Sequence, residues 1–181
     1  MNGLLLFHLN LDFSSIDFKH HKYVINTCYY PLLDLAKKHN VRISIEFSGK
    51  TLERINAIDK NFIALLKKLI DKNSIEIIGS GYVQAIGPIL PYQINTLNLQ
   101  EGQNVYSNIL GITPKTALIG EMALSHSLID LYLEAGFETI VMDIDNVAES
   151  LNISKSNLYK YGAMQSCYSE KSIRVIWSDS I

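Results

Sequence analysis

The sequence predicts an α/β fold in which parallel strands are joined by helical crossovers. Three observations carry this expectation. Short apolar runs rich in Ile, Leu and Val recur through the 181 residues, as buried strands require. Between them lie longer segments whose apolar residues repeat at helical spacing. The two kinds alternate without a break, and a parallel strand needs a crossover before its neighbour can begin.

The elements follow in order. "GLLLFHLNL" is the first strand. In "YVINTCYYPLLDLAKKH", Val24, Cys28, Leu32, Leu35 and Ala36 form a helical stripe, which makes Cys28 a small core residue. "RISIEF" is the second strand, after which Thr51 reads as the cap of a short helix and Asp59 as the cap of a longer one. Phe62, Leu65, Leu66, Leu69 and Ile70 form the apolar face of that longer helix. "SIEIIGS" is the third strand, with Glu76 as a buried, paired carboxylate between Ile75 and Ile77. "YQINTLNLQEGQNVYSNIL" is a long helix closed by Gly111, with Pro114 beyond. "KTALIG" is the fourth strand. The helix "SHSLIDLYLEA" follows, capped by Ser125 and ended by Gly136. "ETIVMD" and "SIRVIWS" are the fifth and sixth strands.

Composition narrows the function. Hydrophobic residues make up 48% and charged residues 19%, enough for a substantial core. A net charge of -2 is too balanced for a nucleic-acid surface, and no run of about 18 apolar residues offers a membrane span. The start of the chain lacks the pattern of a signal peptide. The two cysteines, Cys28 and Cys167, lack metal-type spacing, so a reducing cytoplasm is the simplest expectation. No GxGxxG follows the first strand and no GxxxxGK[ST] occurs. Both an open sheet and a β/α barrel fit the alternation. In a parallel barrel, function collects at the carboxyl ends of the strands. Those ends here hold His8, Asn10 and Asp12; Glu46 and Ser48; Ser80, Tyr82 and Gln84; Glu121; and Asp143 with Asp145. Five polar ends in series predict a polar pocket there.

The runs "YYPLLDLAKKHNVRISIEFSGKTLERI", "NSIEIIGSGYVQAI" and "LGITPKTALIGEMALSHSLIDLYLEAGFETIVMD" resemble, in order and spacing, the N-terminal catalytic region of glycoside hydrolase family 57. The resemblance implies a distorted seven-stranded β/α barrel of the glycoside hydrolase/deacetylase type, incomplete in this chain. It implies a retaining glycosidase or glucanotransferase acting on α-glucan or a related polysaccharide, with no cofactor or metal. Glu121 falls on the family's nucleophile. Three positions depart from the family pattern. Asn10 stands where an HxHQP-like motif has its second histidine, and Gln84 replaces the glutamate of "YEP". Leu118 occupies a position that is often aromatic. The acid/base aspartate belongs to a later motif, downstream of a strand resembling "RVIWSDSI". With a terminal strand that no helix follows, this predicts the N-terminal part of a longer protein, with little activity alone.

A retaining glycosidase needs a nucleophile that stays ionised, and a second carboxyl group about 5–5.5 Å away. Glu121, after the strand-ending Gly120, has the open approach a nucleophile requires. His8 is a hydroxyl donor beside it or a satisfied core histidine. Glu46 binds hydroxyls, tunes the pocket charge or holds the "SGKT" turn. Asn10, Tyr82, Gln84, Asp143, Asp145 and Trp177 complete the expected substrate contacts, Tyr82 and Trp177 as stacking platforms or core aromatics. Other readings stay open. A DxD glycosyltransferase would use "VMDID" to hold a cation, and a metal-dependent deacetylase would use His8 and Asp12. A non-catalytic carbohydrate-binding relative would keep the pocket alone.

Overall fold

The computed structural model describes residues 5–39 and 41–178. The first two residues of the expected opening strand and the last three of "RVIWSDSI" lie outside this range. Strands β1 (Leu6–His8), β2 (Ile43–Glu46) and β3 (Ile75–Ile78) form a parallel sheet, with Phe7 opposite Ile45 and Ile45 opposite Ile77. Strands β4 (Thr116–Leu118), β5 (Thr139–Asp143), β6 (Ala163–Gln165) and β7 (Ser172–Ser178) form a second sheet in the order β4-β5-β7-β6. Gly79 joins the two. Its N–H donates to Thr116 O at 2.8 Å, and Leu118 N–H donates back to Gly79 O at 2.8 Å. The described residues therefore place six strands side by side in parallel, the partial α/β barrel that the family resemblance implies.

β6 departs from the expected all-parallel pattern, pairing antiparallel with β7. Its three residues are mostly exposed, so no apolar alternation marks them as a strand. A serine-rich turn closes this hairpin. Ser166 N–H donates to Lys171 O at 3.0 Å, and the Ser166 and Ser169 hydroxyls donate to Asp130 at 2.6 and 2.7 Å. Those two bonds hold the Asp130 carboxyl below its usual pKa.

The first helical segment also differs from its predicted register. α1 (His21–Val24) runs through a wide π turn, Ile25–Tyr29, into α2 (Tyr30–His39). Ile25, Tyr29, Leu33 and Ala36 are buried; Ala36 belongs to the predicted stripe, while the other buried positions lie one residue on from Val24, Cys28 and Leu32. Across the π turn, the ring of Phe62 meets Tyr30 edge-on at 5.3 Å. Cys28 is exposed rather than core.

α3 (Gly49–Ile58) begins earlier than expected. Ser48, not Thr51, is its cap, with Ser48 Oγ accepting from Thr51 N–H at 3.3 Å. α4 (Lys60–Asp71) is capped by Asp59 as predicted, accepting from Asn61 and Phe62 at 2.9 and 3.1 Å. α5 (Tyr92–Leu110) ends at Gly111. Ser125 caps the 3₁₀ turn that leads into α6 (Ile129–Glu134). α7 (Ile144–Leu151) and α8 (Lys155–Leu158) fill the stretch between β5 and β6, where the sequence reading placed no helix. Among the described residues no helix is long and apolar enough to cross a membrane.

Two apolar clusters sit against the strands. One gathers Ile25, Leu33, Ile45, Phe47, Leu52, Phe62, Leu66 and Tyr106 around the first sheet. The other gathers Ala117, Ile119, Ile129, Phe137, Ile140 and Ile173 around the second. Each fully buried large side chain contributes about 1.5–3 kcal/mol.

α5 packs against α3 and approaches the loop after β3 at Gly102. A Cβ there would lie 2.6 Å from Ser80 O and 2.9 Å from Gly81 C, both backbone atoms. Gly102→Ala is therefore expected to lower unfolding free energy by about 1–3 kcal/mol in urea titration, the range for overpacking a close contact.

Candidate active site

The carboxyl ends of β1 to β4 open into one cavity of about 260 Å³, lined among others by His8, Glu46, Ser80, Gln84 and Glu121. The sequence alternation explains the convergence, because successive parallel strands deliver their last residues to the same end. Glu46 ends β2 and is 1% exposed, so its charge needs partners. It has one on each side. His8 Nδ1 at the end of β1 hydrogen-bonds Glu46 Oε2, and Ser80 Oγ, just past β3, donates to Oε1 at 2.6 Å.

Tyr106 extends this network into α5. Its hydroxyl donates to Phe47 O at 2.6 Å and accepts from Ser80 N–H at 3.0 Å. Complete burial, with the Glu46 charge nearby, pushes the Tyr106 phenol well above its ordinary pKa, so it stays a neutral donor. Nothing in the sequence singled out Tyr106. It reads as one apolar position of a long helix, and only packing aims its hydroxyl at the site.

On the open side, Gln84 Nε2 meets His8 Nε2 at 2.8 Å, and Asn10 Nδ2 donates to Gln84 Oε1 at 3.1 Å. The hydrogen bond to Glu46 raises the His8 pKa most strongly. Burial opposes it, and the charges of Glu46 and then Glu121 add to the rise. Asn98 fixes the loop that carries Gln84, its Oδ1 accepting from Val83 N–H at 2.8 Å.

Glu121 is exposed and follows β4 on a tight turn, Gly120–Met122. Glu121 and Met122 both have left-handed backbone, at φ 51° and 52°. Two adjacent non-glycine residues in that region are costly, and such strain concentrates at functional sites. The turn is pinned from the other side of the cavity, because a Cβ on Gly120 would sit 2.4 Å from Ala85 O. The Glu121 turn and the Gln84 loop thus touch backbone to backbone.

Four expected contacts lie elsewhere. Tyr82 faces α3, donating to Glu53 at 2.9 Å with Lys50 over its ring, so it does not line this cavity. Asp143 is buried as the cap of α7, accepting from Asn146 N–H at 2.8 Å. Asp145, in the first turn of α7, pairs with Lys155. The two aspartates of "VMDID" therefore serve a cap and an ion pair. Trp177 donates from Nε1 to Tyr161 O at 2.8 Å and packs against the second cluster. Glu76 is paired as predicted, with Arg42 at 3.2 Å, but its side chain is 38% exposed rather than buried. Asp12 forms a two-pronged pair with Arg54 at 3.0 and 3.1 Å. Among the described residues, no group of three His, Cys, Asp or Glu side chains is placed to hold a metal ion.

Removing Ser80 Oγ leaves one oxygen of a buried carboxylate without its donor. Ser80→Ala is therefore expected to cost at least about 1–3 kcal/mol of stability by denaturant unfolding.

Residues 6–175 match the family described as glycosyl hydrolase family 57. Among curated proteins, the chain is 25% identical over 135 residues to a 4-alpha-glucanotransferase of Thermococcus litoralis, covering 74% of this chain and 20% of that protein. It is 26% identical over 138 residues to alpha-amylase 1 of Dictyoglomus thermophilum, covering 76% of this chain and 20% of that one. The chain thus spans about one fifth of the length of these relatives. The crystal structure of the 4-alpha-glucanotransferase from Thermococcus litoralis superposes with a TM-score of 0.80 at 22% identity, covering 97% of this chain and 27% of that one. That likeness shows the fold. With the family match extending over nearly its whole length, this chain belongs to glycosyl hydrolase family 57.

Proposed function

We propose that this chain is part of a retaining enzyme acting on α-glucan or a related polysaccharide, with Glu121 as its nucleophile. The observation that carries the reading is the placement of Glu121: an exposed carboxylate on a strained turn, at the edge of a cavity whose other side holds His8 and Gln84. The named activities of the relatives, an amylase and a glucanotransferase, support the substrate class.

In this reading the Glu121 carboxylate attacks the anomeric carbon as the glycosidic C–O bond breaks. The result is a glycosyl-enzyme ester. Transfer of the glycosyl group to water gives hydrolysis, and transfer to a sugar hydroxyl gives transglycosylation. His8, Gln84 and Asn10 line or support the side of the cavity facing Glu121, where they would contact sugar hydroxyls. The leaving oxygen needs a proton from a second carboxyl. Glu46 does not suit that task, because both its oxygens are engaged and it is 1% exposed. On the family resemblance, that role falls to an aspartate of a later motif.

An activated donor tests the nucleophile without the acid. In α-glucosyl fluoride the leaving fluoride needs no carboxyl to protonate it, so attack breaks the C–F bond and leaves the sugar on Glu121. Mass spectrometry of peptides is expected to locate one hexosyl adduct on Glu121, absent in Glu121→Gln. Sugar binding without an adduct would instead favour a carbohydrate-binding role.

A further inference from the structure

The polarity of the hydrogen bonds around His8 can be followed from a backbone group that cannot reverse. Phe13 N–H donates to Asn10 Oδ1 at 2.9 Å, and Asn10 Nδ2 donates to Phe13 O at 3.0 Å. A turned-over Asn10 amide would set donor against donor and acceptor against acceptor, so its orientation is fixed. The second hydrogen of Asn10 Nδ2 then points to Gln84, which must present Oε1, at 3.1 Å. That leaves the Gln84 amide nitrogen facing His8 Nε2 at 2.8 Å. An amide nitrogen only donates, so Nε2 must accept. The ring's one proton lies on Nδ1, toward Glu46.

We propose that Asn10 and Gln84 are positioning residues that keep His8 Nε2 a hydrogen-bond acceptor. The two carboxylates act on the ring from β2 and from the turn after β4, and both stabilise the imidazolium. The amide pair acts from β1's extension and from the loop after β3, and stabilises the neutral ring. Taking up a proton at Nε2 would require the Gln84 amide to turn over and give up its bond from Asn10. The protonation state of His8 is thereby coupled to the orientation of one side-chain amide. This deepens the glycoside reading of the same cavity. A sugar hydroxyl reaching this edge would meet an accepting nitrogen covered by an amide, where an imidazolium would donate.

The test reads the imidazole and not turnover, so it can fail independently of the proposed reaction. Nitrogen-15 NMR of the ring in the wild-type chain, followed through a pH titration, is expected to show the Nδ1–H tautomer and an unprotonated Nε2 on the basic side. Gln84→Met keeps the length of the side chain and removes its polarity. If Gln84 donates, the substitution raises the His8 pKa, by about 0.5–1 pH unit for one neutral hydrogen bond. If Gln84 accepts from an imidazolium, it lowers it. Asn10→Ala, which frees the Gln84 amide to turn, is expected to shift the His8 pKa upward as well. A downward shift in Gln84→Met, or an Nε2–H tautomer in the wild type, would overturn the proposal. The wild-type spectrum alone decides the tautomer should either variant fold poorly.

Discussion

The buried carboxylate of Glu46 is the constraint on which the rest of this molecule depends. A charge at 1% exposure is tolerable only when its lone pairs are met, and here the donors come from both neighbouring strands. His8 and Ser80 must therefore sit level with it, which fixes the carboxyl ends of β1, β2 and β3 against one another. Tyr106 adds α5 to the same knot through Phe47 O and Ser80 N. A polar cluster that needs every member is a strong specifier of register, since a slip of one residue in any strand would strand a charge in the core.

The second half of the chain is built on a separate apolar cluster and meets the first at Gly79, where one pair of backbone bonds continues the sheet. The cavity lies at this seam. Its floor, His8, Glu46 and Ser80, belongs to the first half, while Ile119, Glu121, Leu128 and Tyr132 come from the second. Two loops that touch at Gly120 and Ala85 hold the halves in register at the functional end. Placing the Glu121 carboxylate across a seam from His8 and Gln84 is a natural outcome of parallel strands feeding one end.

What the sequence made legible was set by periodicity. Long, regular signals survived: most of the stripe of α4, its Asp59 cap, the length of α5 and the apolar runs of β2, β3 and β5. His8, Glu46, Gln84 and Glu121 were legible for the same reason, as polar residues ending apolar runs. What escaped had no periodic signature. The segment containing the π turn buries Ile25, Tyr29 and Leu33 where Val24, Cys28 and Leu32 were expected, and Cys28 is exposed. β6 was too short and too exposed to register as a strand. Tyr82, Asp143, Asp145 and Trp177 stand at strand ends in the sequence, but local partners turn them to other work: a glutamate on α3, a helix cap, a lysine and a carbonyl. A strand end tells which residues arrive at the pocket's level and not which way each side chain turns.

The turn carrying Glu121 sets durability against aim. Left-handed backbone at Glu121 and Met122 costs of order 1–2 kcal/mol per residue, held in place by the surrounding contacts. Glycine at Met122 would relieve that cost and would also free the carboxylate to swing. Selection for heat resistance and selection for a well-directed carboxylate thus pull this turn in opposite directions. A chain long adapted to either pressure alone would be expected to have resolved the conflict here first.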